Sequence, residues 1–462
     1  MSAEVLASPA ASGSAPLGKV RALQHTLYRA AKADPGRRFH ALMDKVLRRD
    51  VLGLAWAAVG ANNGAPGIDK LTLADVEEYG VSRFLDEIQA ELREGRYRPL
   101  PAREVLIPKP GQPGALRPLA IASVKDRVAQ AAVKIVLESV FEADFLPCSF
   151  GFRPKRAAHD ALQVVIDEAW RGRRWVVETD IADCFTAIPH DQLMREVEKR
   201  VVDQSVLKLL RLILGAGVMA EGSVRKAVTG TPQGGNVSPL MCNVYLHQVD
   251  AAWDVREHGV LVRYADDLLV MCRSRQQAED ALARLRVLLA ELGLEPKEAK
   301  TRIVELQVGG GGFDFLGFHH RLVRSKGHQK GRGTVFLARW PSDKARQHAR
   351  DRIKELTLRC RQLLPIEYIV EDLNRFLAGW AAYFRYGHST VRFDKIRDYA
   401  LRRLVIQIAG RHKGDRRRGS RLVYRLSPNQ YGLMSLHGIV AAPRANEPWR
   451  RGKPNTVGER RR

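Results

Sequence analysis

What is scarce narrows this sequence first. Five cysteines in 462 residues, none spaced Cys-x-x-Cys, leave no pattern for a zinc ribbon or a disulfide scaffold. They fit the reduced thiols of a cytoplasmic protein. Long apolar runs are missing too. None approaches the roughly 18–20 residues that a membrane helix needs, so no membrane partner is expected. The opening stretch MSAEVLASPAASGSAPLGK lacks the basic start and unbroken apolar centre of a signal peptide. Its Ala, Ser, Pro and Gly predict a disordered lead-in over residues 1–35. No segment of roughly 20–50 residues recurs, which excludes a solenoid. Acid is the minority charge: 51 Asp and Glu stand against 76 Lys and Arg, for a formal +25 and a pI near 10.2. Most of that excess lies from His319 onward. It points to a polyanion. The basic stretch is not one amphipathic helix, so nucleic acid fits better than an anionic membrane surface.

A chain that is 45% hydrophobic can bury a sizeable core, and its length predicts two or three domains. Helical patterning covers about residues 36–60 and again the stretch to Arg96, separated by the Gly/Asn/Pro loop GANNGAPGIDK. Arg103 to Pro108 reads as a strand, Pro108 to Pro118 as a turn-rich segment, and Lys125–Phe141 as helix. RWVVETD is a short strand ending at Asp180. A helix follows Ile188, with Pro in its first turn. The loop GTPQGGNVSPL, Gly230 to Leu240, leads into another helix. The apolar run around Ala265-Asp266-Asp267 is a β-hairpin. Ser274 and Gln277 then form a capping-box signature, a leucine-rich stripe follows, and Gly293 is the stop. GGGGFDFLGFHH reads as a glycine hinge and a strand. The order strand–helix–helix–hairpin–helix–strand matches a split βαβ unit, an α+β arrangement. Further on, Leu373, Phe376, Leu377, Trp380, Tyr383 and Phe384 recur at helical spacing, with Arg375 and Arg385 off the stripe. Arg411 to Arg421 reads as a basic loop.

RYADDLLV, Arg263 to Val270, sets two carboxylates in a tight turn between strands too apolar for the surface. Adjacent acids repel and dislike apolar surroundings. A third acid, Asp180, ends another apolar strand, and strands can bring distant positions together. Three clustered carboxylates become stable around a hard divalent cation. Mg²⁺ completes its shell with water and substrate phosphates. Two such ions roughly 3.5–4 Å apart can hold both oxygens of an in-line phosphoryl displacement.

These residues also resemble a family. Tyr264-Ala265-Asp266-Asp267 is similar to the YxDD box of bacterial group II intron reverse transcriptases, which double as splicing maturases. DIADCF, Asp180 to Phe185, resembles the strand-end motif that supplies the other metal-binding Asp. GTPQGGNVSPL resembles the motif beside the templating pair. Leu106 to Gln130 and SFGFRP resemble the finger motifs, KTR and FDFLGF the later palm motifs, and LAGWAAYFRYG the maturase-specific thumb. The resemblance covers about residues 40–440, and so many motifs in order are far more specific than one box.

The resemblance implies a right-hand polymerase: fingers and palm over 36–318, a helical maturase-specific thumb over 319–410, and a basic nucleic-acid-binding extension over 411–462. It implies RNA-directed DNA polymerase activity with two Mg²⁺ ions, on an RNA template with a DNA primer and dNTPs. The partners implied are the intron RNA, bound as a splicing maturase, and a DNA target for retromobility. Asp180, Asp266 and Asp267, with the Ile181 carbonyl, become the metal ligands. Lys109 and Arg117 hold the triphosphate, as point charge and bidentate fork. Gln233 lies against the nucleotide, with Gly234 and Gly235 permitting close backbone approach. Phe185 holds the sugar-gate position, where a bulky ring excludes a 2′-hydroxyl. Lys300 is placed to donate a proton to pyrophosphate. Arg375, Arg385 and Arg392 are set toward RNA or the primer duplex, and Arg416, Arg417 and Arg418 toward phosphates.

The sequence departs from many relatives in carrying no His-Asn-His endonuclease set with paired cysteines after Ala409, so no DNA cleavage is expected. Two rival readings remain: a splicing cofactor with an idle polymerase site, and a polymerase domesticated for host defence or spacer acquisition.

Overall fold

The computed structural model describes residues 14–108, 114, 116–220, 223–225, 229–231, 234–325, 333–412, 414–427 and 429–445. Helices and three sheets alternate along the chain. β1 (Ala102–Pro108), β2 (Leu116–Ile121), β4 (Val218–Ala220) and β5 (Ser223–Arg225) form one sheet in the order β2-β1-β4-β5. A second sheet has the order β6-β7-β3-β8, from β3 (Trp175–Asp180), β6 (Val260–Tyr264), β7 (Asp267–Cys272) and β8 (Arg302–Glu305). A third, β11-β10-β9, combines β9 (Gly312–Phe315), β10 (Phe318–Arg324) and β11 (Val335–Pro341). Among the described residues no helix is long and apolar enough to cross a membrane.

The second sheet explains why its strands read as unbroken apolar runs. A sheet covered on both faces needs apolar side chains at every position. Alternation along β7 sends Leu268, Val270 and Cys272 into one core and Leu269 and Met271 into another. Helices Ser238–Ala251 and Arg275–Glu291 belong to the first core, with Val244, Leu285 and Leu289 buried there. Helix Ala158–Trp170 belongs to the second, through Ala161, Leu162 and Val165.

The second core runs on into the C-terminal third. Val262, Leu269 and Met271 share it with Phe313, Phe318, Leu377, Trp380, Phe384 and Leu404. The expected boundary between 318 and 319 therefore falls inside β10. The glycine hinge is also resolved differently. Phe315 pairs with Phe318 across a two-residue turn. Leu316 and Gly317 take φ of 49° and 77°, the paired positive angles of a tight hairpin.

Two further expectations change. Ser14–Ala33 is a helix rather than part of a disordered lead-in. Val20, Leu27 and Ala31 are buried on it at helical spacing, a stripe that its Ala- and Ser-rich composition obscures. Arg416–Tyr424 is a helix rather than a basic loop, because the Asp415 side chain accepts from Arg418 N at its start. Ser274 caps its helix as expected, accepting from Gln277 N at 3.1 Å. Gln277 returns the bond to Arg273 N, not to Ser274.

A shared core predicts shared unfolding. Leu377→Ala should cost roughly 2–5 kcal/mol, the usual range for a fully buried leucine. In urea, tryptophan fluorescence and far-UV circular dichroism of that variant should shift together; a separate early transition for the C-terminal helices would contradict the common core.

Candidate active site

The β6–β7 register pairs Tyr264 with Asp267, so Ala265 and Asp266 alone form the turn. Ala265 takes φ of 56°, a left-handed angle that costs a residue with a Cβ about 1 kcal/mol or more. Neighbouring backbone and one buried cation hold it there. Arg263 has no exposure to solvent. Its guanidinium donates from Nε to Asp250 Oδ1 at 2.8 Å and from Nη2 to Asp250 Oδ2 at 2.5 Å. Nη1 donates to Asn243 Oδ1 at 2.9 Å and to the Ala265 carbonyl at 3.2 Å. Asn243 Nδ2 in turn donates to Gly151 O at 2.8 Å. Gly151 lies directly on the turn, since a Cβ there would stand 2.5 Å from Ala265 N.

β3 brings the third acid. Asp180 is directly opposite Asp267 in the antiparallel register. Ile181 N donates to the Asp266 carbonyl at 3.2 Å, and Lys297 N donates to the Asp180 carbonyl at 2.7 Å. Burial, then the charge of Asp180, raises the Asp266 carboxyl above the usual carboxylate range. Burial, then Asp266 and Asp180, pushes Asp267 up to about 7. The Lys300 ammonium forms an ion pair with Asp180; burial lowers the Lys300 pKa, and Asp180 outweighs this and raises it. Burial and repulsion push Asp266 and Asp267 toward protonation, and with Asp180 opposite them they make an oxygen-rich donor set that a divalent cation would stabilise. Among the described residues no three His, Cys, Asp or Glu side chains stand in a preformed metal-binding arrangement. Mg²⁺ sites of this kind need only one or two carboxylates, with the rest of the shell from water and phosphate. An open cavity of about 670 Å³ adjoins Asp180 and Asp267, with Lys300, Arg302, Lys344 and His348 on its walls.

The other predicted residues fall in different places. Lys109 and Gln233 lie outside the described residues. Arg117 is exposed on β2, opposite Ile107. Phe185 is half-buried on the short helix Cys184–Ala187, with the ring of Phe152 edge-on at 6.4 Å. Its carbonyl accepts from Thr231 N at 2.5 Å, so the glycine-rich loop docks on the segment after Asp180. Gly234 has φ of 113°, and a Cβ there would stand 2.5 Å from Ala120 O. Its lack of a side chain lets this loop reach β2. Arg375 pairs with Glu371 and Asp372 on its own helix. Arg385 lies over the Tyr386 ring at 5.4 Å and Arg392 over the Trp340 ring at 4.3 Å. Arg416, Arg417 and Arg418 are exposed in the first turn of their helix.

Sequence reasoning missed Gly151, Asn243, Asp250 and Arg263. One signal was available: an arginine inside a run as apolar as Val260–Cys272 requires a buried carboxylate partner. Nothing in one sequence points to Gly151.

The chain is similar to known proteins over both its sheet region and its C-terminal helices. A family model described as reverse transcriptase (RNA-dependent DNA polymerase) matches residues 107–320. A model of the group II intron maturase-specific domain matches residues 346–424. Protein YkfC of Escherichia coli K12 is 32% identical over 370 residues, covering 71% of this chain and 94% of that protein. An uncharacterized 91 kDa protein in the cob intron of Schizosaccharomyces pombe is 28% identical over 442 residues, 79% of this chain and 54% of that one. The group II intron-encoded protein LtrA of Lactococcus lactis subsp. cremoris is 36% identical over 212 residues, 46% of this chain and 35% of that one.

The clamp can be tested by stability alone. Asp250→Ala strands a buried guanidinium and should cost roughly 3–5 kcal/mol in chemical denaturation, with Arg263→Met/Asp250→Leu regaining most of the loss. A cost under about 1 kcal/mol for Asp250→Ala would show that the pair does not hold the turn.

Proposed function

The chain belongs to the group II intron reverse transcriptase–maturase family, and we propose how its own residues divide the work. It is an RNA-directed DNA polymerase with maturase activity. Residues 36–318 serve as fingers and palm, with the Asp180–Asp266–Asp267 cluster at the palm's edge. The C-terminal helices serve as a thumb that shares the palm's second core, and residues 411–462 as a basic extension. The reaction is RNA-templated addition of deoxynucleotides to a DNA 3′ end, releasing pyrophosphate. The single observation behind this reading is the register that sets Asp180 against Asp267 beside the Asp266 turn.

Asp180, Asp266 and Asp267, with the Ile181 carbonyl, would hold two Mg²⁺ ions. When bound, these supply charge for the attacking and leaving oxygens of an in-line displacement. Arg117, with Lys109, orients the triphosphate by charge and hydrogen bonds. Gln233 lies along the nucleotide, on the loop that Gly234 seats against β2. Lys300, read from sequence as a proton donor to pyrophosphate, lies against Asp180, where it offsets the cluster's negative charge and stays within reach of the substrate cavity. Phe185 faces Phe152 beside the glycine-rich loop, where its ring would exclude a 2′-hydroxyl. The maturase task is binding the intron RNA so that the RNA splices itself, and retromobility adds a DNA target. The exposed arginines at 416–418 would add phosphate affinity without reading sequence.

Two variants separate these roles. Asp266→Asn should lower primer extension on an RNA template by roughly 10²–10³-fold or more, as for loss of a charge-stabilising group. Intron RNA binding by the same protein should stay near wild type; joint loss of both would break the division of labour. Phe185→Ala should raise ribonucleotide incorporation roughly 10–100-fold relative to deoxynucleotide, the scale of a removed steric clash. Unchanged sugar selectivity would leave Phe185 as packing.

A further inference from the structure

Phe152 is held in a conformation that its own chemistry does not favour. It takes φ of 57°, a left-handed angle that a bulky side chain rarely adopts. Its ring is 49% exposed, so burial returns little for the strain. The residues on either side are fastened. Phe150 N donates to the Arg263 carbonyl at 2.8 Å, and the Gly151 carbonyl accepts from Asn243. On the other side the buried Arg153 donates from Nε and Nη2 to Glu142 at 3.0 and 2.7 Å. Its Nη1 donates to the carbonyls of Leu146 and Ser149 at 2.6 and 2.7 Å. An exposed aromatic ring kept under strain between two buried anchors points to a task for the ring.

The contact that this ring makes says which task. It meets the ring of Phe185, with 6.4 Å between centroids and 79° between planes, an edge-to-face arrangement within attractive range. Phe185 stands on the single-turn helix Cys184–Ala187, whose first residue follows Asp183 at φ of 43° with no side-chain cap. The bond from Thr231 N to its carbonyl fixes its backbone and leaves its side-chain torsions free. A half-buried ring can change rotamer unless a neighbour stops it. A gate that works by size must not swing aside. If it does, a 2′-hydroxyl meets only the cost of turning the ring.

We propose that Phe152 is a specificity-determining residue, a buttress that holds the Phe185 ring against the sugar of the incoming nucleotide. This deepens the sugar-gate reading of Phe185 and rests on it. Phe152 acts through Phe185 and takes no part in bond making. One loop then serves both halves of the site: Gly151 seats the Ala265-Asp266 turn, and the next residue sets the gate.

The test is single-nucleotide incorporation by the full-length protein on a DNA primer and RNA template, read as kcat/KM for an rNTP over that for the matching dNTP. Phe152→Asn removes the ring with a residue that tolerates the left-handed angle. It should raise the ratio about 3–10-fold, the fold-change that one edge-on aromatic pair supports, and less than Phe185→Ala does. Phe152→Leu, which keeps the original backbone strain, should shift the ratio in the same direction. Phe152→Tyr keeps the ring and should keep the wild-type ratio. In a Phe185→Ala background, Phe152→Asn should add nothing, because no ring is left to hold. Urea denaturation of Phe152→Asn should match or exceed wild type, which separates selectivity from stability. Unchanged selectivity in both Phe152→Asn and Phe152→Leu, while Phe185→Ala relaxes it, would overturn the buttress. So would full additivity of the two substitutions. Failure of the gate reading looks different: Phe185→Ala itself would leave sugar selectivity unchanged, and the buttress would fall with it.

Discussion

Everything at the carboxylate site depends on a guanidinium that never meets water. Arg263 is buried with Asp250 in a bidentate pair, and its remaining donor reaches both Asn243 and the carbonyl of the strained Ala265. The desolvation of such a pair is expensive, so its contribution to stability is small. Its contribution to geometry is larger. Asn243 accepts from Arg263 and donates to Gly151, and Gly151 lies against the turn backbone. The turn is thus clamped from two directions. Its acids stay together despite their repulsion because the backbone beneath them cannot relax.

The same sheet also organises the molecule at larger scale. One face packs against helices of the first core and the other against a core that extends to Leu436. His159, on the helix Ala158–Trp170, touches the rings of Phe318, Tyr383 and Tyr386. Its Nε2 lies 2.8 Å from the Tyr383 carbonyl. The C-terminal helices therefore share a core with the sheet that carries Asp180 and Asp267.

Much of this was legible in the sequence where local pattern and local chemistry coincide. β3 ends at Asp180, the hairpin turns at Ala265-Asp266, and Ser274 caps its helix, as the residues themselves predict. Tertiary contacts were harder to read. Asp250 and Arg263 sit on different elements, and no periodicity links them. The helix Ser14–Ala33 was hidden because small polar residues dilute its apolar stripe. The hairpin at Leu316-Gly317 was read as a single strand because phenylalanines continue through the turn. Asp415 was read as part of a basic loop, although it caps the helix that follows it. Lys109 and Gln233 lie outside the described residues, so their assignment rests on sequence alone.

The course of β10 carries a consequence for how such a protein can be assembled from parts. Its buried residues share a core with β6 and β7, which precede it, and with helices that follow it. Recombination that exchanged the C-terminal segment for another would have to bring a matching underside for the sheet, or leave Val262, Leu269 and Met271 uncovered. Inheritance of the two segments as one piece is the simplest way to keep that surface dry.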